Sequence, residues 1–237
     1  MQITAWGGDS ARTMPLTISP DDAKALQAFT RTALLTNRAQ DALSWVKALT
    51  TDTPSVAADV ATSKLMAAAS LGNDALEVAK KACAAQPVAP AACEQLASLY
   101  ADAGDAAQLE SVVQTLDTAA PGAAPTLYYR AVLAFLKGDA NAALQSAQQA
   151  IAADASYAAA YDMAGAAHTK LGQADLAAQA FQTSLRFDPH DSTAYTNLGV
   201  LALAAGQRDA ARNYFAEALW LRADDAAALE GARRTTR

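Results

Sequence analysis

Apolar residues in this chain fall three and four positions apart within short stretches, and the stretches come in pairs. The pair at 195–223 is the clearest. Tyr195, Leu198, Gly199 and Ala202 share one face of a first helix, Gly206 marks a turn, and Ala211, Phe215 and Ala218 share one face of a second. Neither face is wide enough to build a core alone, so each pair needs a neighbour.

The same layout recurs upstream at a nearly constant interval. Small or apolar residues in the second helix of each pair fall at Ala42, Ala75, Leu109, Ala143, Ala177 and Ala211, in steps of 33, 34, 34, 34 and 34. The residues that end each pair, Pro54, Pro87, Pro121, Ala155, Pro189 and Ala223, keep the same steps. The turn inside each pair is assigned to Asn37, Gly72, Gly104, Gly138, Gly172 and Gly206, residue types that tolerate the left-handed end of a helix. Three markers with one period predict an array of six helix pairs. Gly72 breaks the pattern, lying three residues before Ala75 where the other turns lie five before their marker. The second pair, with its first helix near 57–71, is therefore expected to be the least regular.

These slots resemble the tetratricopeptide repeat (TPR) family, whose pattern is W-x2-L-G-x2-Y, then A-x3-F, then P. Tyr161, Ala164, Gly165 and His168 followed by Ala177, Phe181 and Pro189 match it, as do Tyr195, Leu198, Gly199 and Ala202 followed by Ala211, Phe215 and Ala223. Cys93, Leu96, Ala97 and Tyr100, then Leu109, Val113 and Pro121, fit the third repeat; Leu26, Phe29 and Ala33, then Ala42, Val46 and Pro54, fit the first. Arg130 departs from the pattern in an apolar slot, and Ala155 stands in a proline slot. The resemblance implies an all-α fold, an α-solenoid of tandem helix-turn-helix TPR repeats forming a right-handed superhelix. It divides the chain into an N-terminal tail or linker at 1–19, six repeats over 20–225 (23–56, 57–89, 90–123, 124–157, 158–191 and 192–225), and a C-terminal capping helix and tail at 226–237.

At the boundaries the expectations are specific. Residues 1–18 have no helical period, with Gly7-Gly8 and Pro15 interrupting them. Ser19-Pro20-Asp21-Asp22 reads as a helix start, Ser19 capping and Pro20 in the first turn. In the cap, Ala227, Ala228 and Leu229 are placed on one side, with Asp224-Asp225 and Arg233-Arg234 suiting the two ends of the helix dipole.

Composition agrees with close helix packing. Hydrophobic residues make up 52% of the 237, much of it alanine, and aromatics only 6%, too few for a sheet. The net charge of −6 is interspersed with no basic stripe, so nucleic acid is not an expected partner. No run of 18 apolar residues predicts a membrane span. Residues 1–20 lack a signal-peptide pattern, although the abrupt start at Met1-Gln2 suits an internal cut as well as a true beginning. Location is accordingly open: cytoplasmic by default, periplasmic or secreted if the chain begins inside a longer one.

Chemistry is sparse. His168 occupies a packing slot and His190 a loop, neither with a Cys or acidic partner at ligand spacing. Asp21-Asp22 and Asp224-Asp225 are explained by capping, and the glycines lack the context of a phosphate loop. The expectation is no catalytic residue, no cofactor and no metal. Cys83 and Cys93 face each other across a short connection. They read either as a disulfide clamping the second repeat to the third, which implies an oxidising compartment, or as two small buried hydrophobes; free thiols are the preferred reading.

In the TPR family the first helices line a concave groove. Residues one, five and eight after each core slot are assigned to it: Gln27, Arg31 and Leu34; Glu94, Ser98 and Ala101; Tyr128, Val132 and Phe135; Asp162, Ala166 and Thr169; Thr196, Val200 and Leu203. The favoured contacts are Arg31, Glu94, Tyr128, Val132, Phe135, Asp162, Thr169, Thr196, Val200 and Leu203. A carboxylate clamp of the Lys/Asn/Arg kind is disfavoured, because Asp162 and Ala166 stand where Lys and Asn are needed beside Asn197. The resemblance thus implies a non-catalytic protein-interaction scaffold, of bacterial type by its alanine richness, holding an apolar or amphipathic segment. Two other readings remain: the C-terminal module of a larger enzyme, and a self-assembling structural protein in which residues 1–18 dock in a groove and polymerise; the outward Trp220 reads either as a cover for the capping helix or as a contact patch.

Overall fold

The computed structural model describes residues 3–4, 13–14, 18–49 and 55–236. Thirteen helices follow one another among them: α1 (Ala23–Leu35), α2 (Ala39–Leu49), α3 (Val56–Ala68), α4 (Gly72–Cys83), α5 (Pro90–Asp102), α6 (Ala106–Ala119), α7 (Ala124–Leu136), α8 (Ala140–Ala153), α9 (Ala158–Lys170), α10 (Ala174–Phe187), α11 (Ser192–Ala204), α12 (Arg208–Leu221) and α13 (Ala226–Thr235). Two short strands precede them: β1 (Ile3–Thr4) pairs antiparallel with β2 (Thr13–Met14), Ile3 opposite Met14. Most of the expected tail, with Trp6 and Pro15, lies outside the described residues, as does Pro54.

The period is visible in the helix starts. First helices begin at Ala23, Val56, Pro90, Ala124, Ala158 and Ser192, and α13 begins at Ala226, one further step of 34. The cap is therefore in register as the first helix of a seventh pair. The second pair is as regular as the rest, contrary to expectation, and the reason is Ser70. Ser70 has φ 62°, and Asn37, Gly104, Gly138, Gly172 and Gly206 are also left-handed. Ser70 lies five residues before Ala75 and restores the common offset. Gly72 is not the turn but the first residue of α4.

The start of α1 also differs from expectation. Asp22, not Ser19, is the N-cap, and its carboxylate accepts from Ala25 N at 3.0 Å. Ser19 to Asp22 form a turn before it, with Asp22 N donating to Ser19 O at 3.1 Å. Carboxylate N-caps recur at Asp105, Asp139, Asp191 and Asp225, each satisfying amides that have no partner inside the helix.

The chain divides into two compact units, residues 1–99 and 100–237, with α5 shared between them. In the first, Ile18, Leu26, Ala33, Leu43, Val46, Leu65 and Met66 form one buried cluster, with Phe29 against Trp45 at its edge, ring centres 4.6 Å apart. In the second, the core is a series of small clusters, each spanning neighbouring helices: Ala131, Ala147 and Ala164; Ala177, Phe181, Ala194 and Leu198; Ala202, Ala211, Phe215, Ala218 and Ala228. Burial only against the adjacent element is the mark of a stacked repeat. Its tightest contacts are ring against backbone. A methyl added at Gly165 would stand 2.7 Å from the Phe181 ring, and one at Gly199 2.6 Å from Phe215, closer than real carbons approach. The Phe215 ring is pressed from a second side by Gly231 of α13.

The buried stripe of the cap is Asp225, Ala228, Gly231 and Thr235, at spacings of three and four. Ala227 and Leu229, expected on the packed side, are exposed. Trp220 is 78% exposed and does not cover the cap. Arg130, out of pattern in an apolar slot, remains half-buried and pairs with Asp117 at 2.8 Å.

Cys83, the last residue of α4, and Cys93 in α5 are disulfide-bonded, their Cα atoms 4.6 Å apart and both side chains buried. The preferred reading of two free thiols is thereby overturned. The turn between α4 and α5 brings the two Cβ atoms together at a distance that composition does not reveal. A loop this short is stabilised by about 2–3 kcal/mol when closed.

Two outcomes are expected. Titration of the denatured, unreduced protein should find no free thiol, and reduction should lower stability to urea by about 2–3 kcal/mol; two free thiols would refute the bond. Ser70→Gly should raise stability by about 1 kcal/mol in the same assay, because glycine adopts the left-handed conformation without the penalty a side chain carries. A loss of stability would show that the Ser70 side chain contributes more than its backbone costs.

Candidate functional site

The helix starts give every first helix a common numbering. Four residues after the start stand Gln27, Val60, Glu94, Tyr128, Asp162 and Thr196. Eight after stand Arg31, Lys64, Ser98, Val132, Ala166 and Val200. Eleven after stand Leu34, Ala67, Ala101, Phe135, Thr169 and Leu203. Val60, Lys64 and Ala67 are the members that the uncertain register of α3 had hidden.

In the first unit Arg31 and Leu34 are exposed on α1. Glu94 is half-buried and is not an independent acidic contact. Burial raises its pKa and the nearby Lys64 opposes that shift; burial likewise lowers the pKa of Lys64, with Glu94 opposing. Beside them Gln95 Nε2 donates to Ser63 Oγ at 3.2 Å, and Ser63 donates to Ala75 O at 2.9 Å.

In the second unit the expected contacts separate into several kinds. Val132 and Thr196 are buried by their own chain, which removes both from the open face expected for them. The reason at Thr196 is a local bond: its hydroxyl lies 3.0 Å from Asp225 Oδ2, and Arg222 Nη2 reaches the same oxygen at 2.7 Å. Phe135 is half-buried beneath Lys170, whose Nζ lies 5.9 Å from the ring centre. Thr169 is exposed and its hydroxyl is returned to Gly165 O at 2.9 Å. Val200 is 47% exposed, and with Leu203, Phe215, Ala227 and Gly231 it lines a cavity of about 310 Å³ flanked by Glu230 and Arg234. Tyr128 packs edge-on against Tyr129 and Tyr157, at 5.0 and 5.7 Å between ring centres. The aromatic slot holding His168 is half-buried, with Nδ1 2.6 Å from Gln173 Oε1.

One contact repeats with changing chemistry. In α7, α9 and α11 the residue four after the start faces the N-cap of the next first helix. Tyr128 meets Tyr157 as a ring pair, and Thr196 meets Asp225 as a hydroxyl and a carboxylate. Between them Asp162 meets Asp191, two carboxyl groups. Asp191 uses Oδ1 to accept from Thr193 N and Ala194 N at 2.8 and 3.1 Å, holding the start of α11. Ser184 donates to Asp162 Oδ2 at 2.7 Å. Asp162 Oδ1 is buried and has no hydrogen-bond partner in the structure, and burial together with the neighbouring Asp191 disfavours its charged form.

Burial therefore pushes the Asp162 carboxyl far above the usual range, Asp191 and Asp188 add to the shift, and Ser184 only partly opposes it. Tyr128 is pushed up to about 12 by burial and by the charges of Asp162, Asp102 and Asp191. At the equivalent place one repeat on, burial also disfavours the Asp225 carboxylate. There, hydrogen bonds from Ala228 N, Arg222 and Thr196 outweigh burial and hold its pKa low. Asp191, Ser184, Tyr157 and Lys64 were not singled out from the sequence. The first and third could have been, since both stand one repeat interval from another N-cap.

The pH dependence follows from the sign of the Asp162 shift. A carboxyl raised in the folded state binds its proton more tightly than in the unfolded chain, so stability falls as pH rises from the ordinary carboxylate range toward the folded value. Asp162→Asn should leave the melting temperature nearly unchanged at pH 4 and raise it by several degrees at pH 8. An equal effect at both values would show that no proton is held there.

Residues 158–191 and 192–225 each match the family model described as tetratricopeptide repeat. No curated protein matches the sequence. Among solved structures, the chain resembles one in the APC/C hetero-tetramer Cut9-Hcn1, at 18% identity and a TM-score of 0.68 over 92% of this chain and 43% of that one. It also resembles TTC0263, a thermophilic TPR protein of Thermus thermophilus, at 20% identity and a TM-score of 0.64, covering 75% of this chain and 95% of that one. The present chain thus spans less than half of the first of these relatives, and at such identities the likeness is one of fold. Two repeats at 158–225 thus match the tetratricopeptide repeat in sequence, and the thirteen helices in tandem share the fold of TPR structures.

Proposed function

We propose that the chain is a non-catalytic scaffold that holds an apolar or amphipathic segment of a protein partner on the first-helix faces of its second unit. The TPR fold is in general an interaction module. The observation that carries the reading is apolar area on those helices that the core does not consume. Val200 is nearly half exposed and Leu203 and Phe135 are half-buried, all at the register expected of a ligand face. Tyr128 supplies a rigid ring beside them, the type of side chain that anchors interfaces. Among the described residues no group of three or more His, Cys, Asp or Glu side chains is placed to hold a metal, and no helix is long and apolar enough to cross a membrane. The Cys83–Cys93 bond supports an oxidising compartment as the place of action. Self-association through residues 1–18 falls largely on residues outside those described, and nothing among the rest favours it.

Pull-down with mass spectrometry, comparing wild type with Phe135→Ala, tests the proposal. Loss of an aromatic anchor is expected to weaken capture of the partner by about 2 kcal/mol, roughly thirtyfold, with the helical circular dichroism unchanged. Equal recovery by the two proteins would remove the face from consideration.

A further inference from the structure

Two features of the second unit are left over from its packing. The first is Trp220, near the end of α12. At 78% it is the most exposed large apolar side chain among the described residues. Its indole is left in water, where an aromatic ring contributes none of its burial energy. Glu217 stands three residues before it, on the same face of the helix. Glu217 is exposed and makes no ion pair among the described residues. The second feature is the cavity of about 310 Å³ lined by Val200, Leu203 and Ala204 of α11, Phe215 of α12, and Ala227 and Gly231 of α13. Trp220 is not among its lining residues, so the chain does not fill the cavity with its own exposed ring. Two charged side chains flank the opening. Glu230 faces Arg233 at 3.7 Å, whereas Arg234 has no ion pair among the described residues. The uncommitted charge beside the cavity is therefore positive, and the one beside the exposed ring is negative.

We infer that Trp220 of one copy of this chain enters the cavity of a second copy, with Glu217 of the first beside Arg234 of the second. Size and charge select this occupant. At about 310 Å³ the cavity is at the small end of the range of about 300–1,000 Å³ in which ligand sites lie, so it admits an indole where a whole helix would not fit. The residues that line it are apolar, as the ring requires, and Glu230 at the rim offers an acceptor for the indole N–H. Glu217 and Arg234, each unpaired in one copy, become counter-charges between two copies and fix which way the ring enters. The ring and the cavity are different patches of one chain, so the contact is head-to-tail. Each copy gives its indole to one neighbour and accepts that of another, and the assembly grows as a ring or an open chain. The inference does not depend on the partner face proposed above. It shares Val200 and Leu203 with that face, so a copy filled by its neighbour has less of it to offer.

The test is analytical ultracentrifugation of the full chain over a range of concentrations, with circular dichroism to check the fold of each variant. Wild type should associate as concentration rises. Trp220→Ala removes the ring, and Ala227→Leu fills the cavity; both positions are exposed, so neither change touches the core. Each variant is expected to associate at least about tenfold more weakly than wild type. An equimolar mixture of the two should nevertheless form a one-to-one complex that grows no further, because one protein supplies the ring and the other the cavity. Glu217→Arg and Arg234→Glu should each weaken association, and the two together in one chain should restore it. A wild type that stays monomeric to about 1 mM would overturn the inference, and loss of partner capture by Ala227→Leu would then assign the cavity to the partner segment. Association that survives Trp220→Ala, or a mixture that forms no complex, would overturn it equally. Phe135 belongs to neither surface, so Phe135→Ala should associate as wild type does, and self-association and partner capture stand or fall separately.

Discussion

The closeness of ring to backbone inside each pair is the constraint on which the C-terminal stack depends. Phe181 and Phe215 are fully buried because Gly165 and Gly199 present no side chain to them. Truncating so buried a ring typically costs about 3–5 kcal/mol. An alanine at either glycine would force the ring off its seat, so the small residue and the large one specify each other. Once that distance is set, the rest of each first helix has its orientation decided. One stripe is committed to this framework, and the positions four, eight and eleven residues from the start lie outside it.

Those positions hold the variation. The framework needs the same residue types at every interval, whereas the other stripe holds Arg31, Lys64, Glu94, Tyr128, Asp162 and Val200 in successive repeats. The contact between that stripe and the next N-cap shows how much chemistry one geometry accommodates. A ring pair, a carboxyl pair and a hydroxyl–carboxylate–guanidinium group occupy equivalent places along the array. The first and third are self-sufficient. The second sets two carboxyl groups side by side, with Ser184 donating to Asp162 and no cation among the causes of its shift.

The period, the number of helices and the glycine–phenylalanine contact were legible in the sequence, because each depends on residues a fixed interval apart. What failed to read was local. Gly72 attracted the turn assignment by its identity, while the backbone places the left-handed residue at Ser70, which the offset to Ala75 had already indicated. Ser19-Pro20 has the composition of a cap, but the first turn is closed by Asp22. Whether Cys83 and Cys93 join depends on a distance across a turn, which residue spacing bounds without deciding. The candidate contacts were chosen by stripe alone. A stripe cannot tell that Thr196 is consumed by Asp225 or that Asp162 faces a second acid, since both partners come from the following connection.

The bond between Cys83 and Cys93 makes one junction of this otherwise modular chain the place least free to be cut. Repeats in register can be gained or lost by unequal recombination without disturbing the packing of those that remain, since each stacks only on its neighbours. Here the two sulfurs belong to consecutive repeats. Removing either repeat strands a lone thiol, and inserting one between them parts the pair. Duplication and loss are therefore expected to be freer on either side of this junction than across it, since the second and third repeats form one covalent unit.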